Sequence, residues 1–287
     1  MRVSSDRRAK REAPPAPEPL APLIDAHTHL DACGATKSEG AHGARAIVDR
    51  GAAVGVTAVV TVADDMDSAR WVTAAAEWDP RVYAAVALHP TRAGALTDAA
   101  RVEIERLVNH PRVVAVGETG MDMYWPGRLD GCAQPLTQQE AFAWHIDLAK
   151  RTGKPLMIHN RQADREVLDV LRAEGAPDTV IFHCFSSDSA MARVCVAAGW
   201  LLSLSGTVSF RNARDLRDAV PLIPMEQLLV ETDAPFLTPH PYRGAANEPY
   251  CLPYTVRALA ELVNRPPEEL AHITTNNARR AYRLGPG

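Results

Sequence analysis

The chain is 287 residues long, 46% hydrophobic and 23% charged, and its 31 Lys and Arg against 35 Asp and Glu leave a net charge of −4. Those fractions exclude a wholly disordered or fibrous chain, and no apolar run reaches the roughly 18 residues that a membrane-crossing helix needs. The slight acidity excludes a basic coat for polyphosphate, so any nucleic-acid contact must come from a local patch or a metal.

In chain order, the first stretch is RRAKRE followed by APPAPEPLAP, with no apolar segment behind Arg7-Arg8 of the kind an export signal requires. Residues 1–20 are therefore expected to be a flexible Pro/Arg-rich tail and residues 21–287 one continuous unit. From Leu23 onward, short apolar, β-branched runs alternate with helix-period stretches and no linker interrupts them. The strands are predicted at Leu23 to Ala26, Thr57 to Ala63, Val82 to Leu88, Val113 to Gly117, Pro155 to Ile158, Val180 to Phe182, Trp200 to Ser205 and Leu228 to Val230. Helical patterns lie between them, among them Ser68 to Trp78, Thr137 to Arg151 and Asp188 to Ala198, the last entered through N-cap serines. Near-continuous apolar strands are buried on both faces, as in a parallel sheet covered by helices. Eight βα units without a G-x-G-x-x-G turn fit an α/β fold of the single (β/α)8 TIM barrel type better than a doubly wound sheet. Two further helical patterns after Pro249 would close the bottom or pack outside. The dispersed Cys33, Cys132, Cys184, Cys195 and Cys251 form no C-x-x-C pair and read as reduced thiols of a cytoplasmic chain.

In such a barrel the chemistry sits at the C-terminal ends of the strands, and the unusual polar residues fall there. Strand one ends in Asp25-Ala26-His27-Thr28-His29, strand three in His89, strand four in Gly117-Glu118-Thr119-Gly120, strand five in His159, strand six in His183 and strand eight in Glu231-Thr232-Asp233. Six of the ten histidines, with His240 included, follow strand ends. His27 and His29 are two apart on an extended segment, so both project to one face and can reach one ion. Barrel closure would bring Glu118, His159, His183 and Asp233 to the same rim. Imidazoles mixed with carboxylates suit zinc, manganese, cobalt or nickel, whereas magnesium alone favours an all-oxygen shell. Six ligands are too many for one catalytic ion that keeps a water position, so two ions are expected. A carboxylate bridging them at roughly 3.5–4 Å would let one hydroxide attack while the second ion stabilises developing charge.

The runs DAHTHLD, VGETGMD, PLMIHNR, FHCFS and ETDAPFL, with YRGAANEPY and the terminal NNARRAY, resemble the TatD family of metal-dependent deoxyribonucleases within the amidohydrolase superfamily. The resemblance runs from about Leu23 to the end. It implies a TIM barrel, two divalent metal ions (zinc, manganese or magnesium), and hydrolysis of phosphodiester bonds as a 3′-5′ exonuclease on single-stranded DNA or RNA ends. Carried over by position, it implies His27, His29, Glu118 and Asp233 on one ion and Glu118, His159 and His183 on the other, with Asp233 orienting or deprotonating the attacking water. Arg161, His89 and Arg243 become candidates for gripping the phosphate, and Tyr124 and Trp125 for stacking an unpaired base. The chain departs from the family at Ser187-Asp188, where Gly is common, which adds a carboxylate near the mouth, and at Met121, where Leu is usual. Two other readings compete. One is an amidohydrolase-like lactonase, amidase or phosphotriesterase, disfavoured because such relatives often use a carboxylated lysine and none lies near Glu118. The other is a silent interaction module, disfavoured because no ligand is missing. No membrane and no obligate protein partner are expected.

Overall fold

A computed structural model of the chain describes residues 12–20, 22–34 and 36–285. Eight parallel strands follow one another around a barrel in sequence order: β1 Leu23–Thr28, β2 Val56–Val62, β3 Val82–Ala85, β4 Val113–Asp122, β5 Leu156–Arg161, β6 Val180–Phe182, β7 Leu201–Leu204 and β8 Leu228–Val230. The helices are α1 Thr36–Glu39, α2 Ala41–Ala52, α3 Met66–Trp78, α4 Asp98–Val108, α5 Pro135–Thr152, α6 Asp164–Glu174, α7 Ser189–Ala197, α8 Arg214–Ala219, α9 Leu252–Val263 and α10 Pro267–Tyr282. This is the expected TIM barrel with C-terminal helices.

Alternation along the strands divides the apolar residues between two layers. Ile24, Ala26, Ala58, Val60, Val62, Met157, Ile181 and Leu229 fill the barrel interior, while Leu23, Val59, Val72, Phe142 and Val167 belong to the layer between strands and helices. Of the two helical patterns after Pro249, α10 closes the bottom: Ala278, Ala281 and Tyr282 pack against the interior cluster, and the buried Tyr282 hydroxyl donates to the Ala26 carbonyl at 3.0 Å. Between β8 and β1 the closure is made by side chain and loop. The fully buried Asp25 carboxylate accepts from the Thr232 amide at 2.9 Å and hydroxyl at 2.5 Å. Just above, the Asp233 amide donates to His27 at 3.0 Å and the His29 amide to Ala234 at 2.7 Å.

Strand lengths differ from expectation where polarity and pairing part company. β4 runs five residues past Gly117, because its main chain pairs Gly120 with His159, Met121 with Asn160 and Asp122 with Arg161. Hydrophobicity ends at Gly117 but the backbone ladder does not. β3 instead stops at Ala85, and His89 caps a short 3-10 turn at Pro90–Ala95. α7 is capped by Asp188, whose carboxylate accepts from the Ala190 and Met191 amides at 2.8 and 3.0 Å, and not by a serine.

Of the expected tail, residues 1–11 lie outside the described residues. Residues 12–20 run as a strap along α9. Pro14, Pro15 and Glu18 offer carbonyls to Tyr250, Tyr254 and Arg257 at 2.7, 2.9 and 2.8 Å, and the Leu20 amide reaches Val54 at 2.9 Å. Proline lacks an N–H but keeps its carbonyl, and its restricted φ lowers the entropy lost on docking, so a Pro-rich segment suits such one-sided binding.

Candidate metal centre

The residues expected at the rim converge. The Glu118 carboxylate stands between two pairs of imidazoles. Its Oε1 lies 3.8 Å from His27 Nε2 and 3.5 Å from His29 Nε2; its Oε2 lies 3.2 Å from His159 Nδ1 and 2.7 Å from His183 Nε2. Asp233 Oδ1 sits 3.6 and 3.5 Å from the same nitrogens of His27 and His29. His27 is fully buried, Glu118 2% and Asp233 8% exposed. Burial disfavours the Glu118 anion, but the charges of His183 and His27 and hydrogen bonds from His159 and His183 hold its carboxyl well below the usual range. His183 moves the opposite way, burial being outweighed by Glu118 and Glu231, so its ring is held well above the ordinary histidine range.

The local backbone explains why glycines flank Glu118. A Cβ on Gly117 would stand 2.4 Å from the Met157 Cβ, and one on Gly120, at φ 139°, 2.1 Å from the His159 carbonyl oxygen. Only glycine lets β4 come this near β5, which seats Glu118 beside His159.

The donor set fits divalent ions. Three groups bring one ligand atom from each residue within 4.8 Å of the others: His27, His29 and Glu118; His27, His183 and Asp233; His89, Glu118 and His159. The far ring nitrogens have acceptors, so an ion that displaces the proton of the near nitrogen meets rings already oriented for it. His29 Nδ1 lies 3.2 Å from the Val62 carbonyl, His159 Nε2 3.2 Å from Asp122 Oδ2, and His183 Nδ1 3.4 Å from Glu231 Oε1. Asp122 and Glu231 lie within quoted motifs, yet sequence reasoning gave them no role. Spacing held a signal for Asp122, four residues from Glu118 and on the same face of β4.

The rim surrounds a cavity of about 640 Å³, whose lining includes His29, Glu118, His159, His183 and Asp233. Of the expected substrate contacts, His89, Arg161 and Trp125 line it. His89 also falls within ligand distance of Glu118 and His159, a second capacity that its position on the chain did not suggest. Tyr124 and Arg243 are not among the lining residues. Tyr124 carries Arg161 over its ring at 4.2 Å and Arg128 at 4.8 Å, while Arg243 lies over Phe210 at 4.4 Å. The Asp188 carboxylate, expected near the mouth, is engaged in capping α7. Ser187 hydrogen bonds Asp164 at 2.7 Å.

Comparison with known proteins shows the family. The model of the family described as "TatD related DNase" matches residues 24–283. A Mycobacterium tuberculosis protein described as an uncharacterized metal-dependent hydrolase TatD is 82% identical over 92% of this chain and 98% of its own. A Musicola paradisiaca protein named a 3′-5′ ssDNA/RNA exonuclease TatD is 33% identical over 84% of this chain and 92% of its own. Among solved structures, the Escherichia coli TatD homolog YJJV superposes with a TM-score of 0.82 at 28% identity, covering 92% of this chain and 98% of that one. The chain belongs to the TatD family of metal-dependent hydrolases and is an enzyme acting on ester bonds.

Proposed function

We propose that this hydrolase uses two divalent ions to cleave phosphodiester bonds, trimming single-stranded DNA or RNA from the 3′ end. The observation that carries the proposal is the Glu118 carboxylate, one oxygen toward His27 and His29 and the other toward His159 and His183. In this reading His27, His29, Glu118 and Asp233 hold one ion, and Glu118, His159 and His183 the other. A bound ion pair supplies Lewis-acid polarisation of a phosphoryl oxygen and an acidified water.

The remaining work falls to the chain. Asp233 stands at the cavity wall beside both first-strand histidines, where its carboxylate takes a proton from the attacking water. The Arg161 guanidinium, braced on Tyr124, presents two N–H donors to phosphate oxygens. His89 Nδ1 accepts the Thr91 amide at 3.2 Å, which assigns the ring proton to Nε2 and makes that nitrogen a second donor. The name of the Musicola relative supports a nucleic-acid strand end as substrate. Against a lactonase or amidase reading stands the absence of lysine, among the described residues, from the cavity lining.

A panel of 5′-labelled single strands, duplex, RNA, lactone, amide and phosphotriester substrates tests the proposal. Shortening of single strands in manganese or magnesium, stopped by chelation, is expected. Cleavage of small esters with every oligonucleotide left intact would refute it.

A further inference from the structure

Apolar groups are placed unusually on this molecule. Among the described residues, the large hydrophobic side chains left exposed are Val102, Leu129, Leu136, Val194 and Phe236, and two of these, Leu129 and Phe236, line the catalytic cavity. Phe236 is 54% exposed, three residues beyond Asp233, with its ring 6.0 Å from the His29 ring and inclined at 71°. Two exposed apolar side chains lining one cavity among polar groups are the pattern of a ligand-binding groove.

Other aromatic rings nearby are engaged. Two guanidinium groups crowd Tyr124, and Trp125 meets Tyr124 edge to face at 4.9 Å and carries Arg161 at 5.3 Å. Those two rings hold Arg161 for the phosphate; Phe236 makes no cation contact of that kind. The cavity thus offers cationic Arg161 and Arg92 together with the Phe236 ring, around one cluster of candidate ligands. That combination matches a nucleotide, whose phosphate takes the cations and whose flat base takes the ring.

Resting on the nuclease reading, we infer that Phe236 is the stacking platform for the unpaired base next to the scissile phosphate. It acts by holding the strand end against the ligand cluster, so its effect lies in KM more than in kcat. The test measures kcat and KM of the metal-loaded enzyme on two single strands, one with a normal terminal nucleotide and one with an abasic terminal sugar. The wild-type enzyme is expected to favour the base-bearing strand by about tenfold in KM, in line with the value of a stacked base. Phe236→Ala should lose that preference, Phe236→Leu should lose it too despite its apolar bulk, and Phe236→Trp should keep it. Losses by Phe236→Ala that are equal on both strands would overturn the inference while leaving the nuclease reading in place. A wild-type enzyme that cleaves neither strand would overturn the nuclease reading and this inference with it.

Discussion

Replacing Asp122 by Asn tests how the ligand rings are held. Asp122 Oδ1 accepts the Tyr124 and Trp125 amides at 2.8 and 2.9 Å, and Oδ2 faces His159 Nε2 at 3.2 Å. Gln138 fixes the backbone of the same residue, donating to its carbonyl at 3.1 Å and accepting its amide at 2.7 Å. Asparagine has one acceptor where aspartate has two. If its oxygen stays with the loop amides, its NH2 points at His159 Nε2, and the ring proton must move to Nδ1, the nitrogen that faces Glu118. A protonated Nδ1 cannot ligate. If the oxygen turns to His159 instead, two loop amides lose their partner, at about 1–3 kcal/mol each where they stay dry. Outer partners of ligating histidines are worth about 10–100-fold in ion affinity or activity, which is about 1.4–2.7 kcal/mol. Asp122→Asn is therefore expected to lose ion affinity by that factor in calorimetric titration, with a matching fall in kcat/KM and an unchanged circular dichroism spectrum. An Asn variant that binds ions and turns over like the parent would refute the idea that Asp122 sets the His159 tautomer.

Gly120→Ala places a methyl group against the His159 carbonyl and should cost about 1–3 kcal/mol or more in urea unfolding; an unchanged midpoint contradicts the close approach of β4 and β5. Tyr282→Phe removes one buried hydrogen bond at the bottom of the barrel. It should lower stability by about 1–3 kcal/mol while turnover at the far end stays within about twofold, since the two faces are separate in role. Burial pushes the Cys195 thiol up to about 12 and Cys251 up to about 11, so neither should be alkylated at neutral pH until the chain unfolds. Because both thiols ionise at higher pH folded than unfolded, their contribution to stability is whole below the ordinary thiol range. It is lost as pH rises through the folded values, so thermal midpoints should fall above about pH 9. Rapid alkylation of either thiol in the native protein would show the burial to be wrong.

The barrel was legible because the strands between Leu23 and Val230 are short, largely apolar runs flanked by helical periodicity, a pattern that burial on both faces imposes. The convergence of imidazoles and carboxylates was legible because closure gathers strand ends whatever the distance between them in sequence. Glu118 and His183 lie sixty-five residues apart and meet at 2.7 Å. Strand ends were harder to read: β4 persists through Asp122 on backbone pairing that side-chain polarity does not report. The partners of the histidines were hidden for the same reason, since the Val62 carbonyl has no identity of its own and Glu231 meets His183 only once the barrel closes. Tyr124 and Trp125 were visible as aromatics, but only the fold shows their rings engaged with Arg161 while Phe236 is left open. The docked Pro14 to Leu20 strap was hidden too, because its contacts come from Tyr250, Tyr254 and Arg257, more than two hundred residues away.

The most direct test is a titration of manganese into chelator-stripped protein, followed by calorimetry and elemental analysis, for the parent and for Glu118→Gln. Two ions per chain in the parent, and a marked loss of affinity at both sites when the shared carboxylate becomes an amide, are the expected result. A parent that saturates at one ion, or a Gln variant that still takes two with undiminished affinity, would contradict the placement of Glu118 between two metal sites.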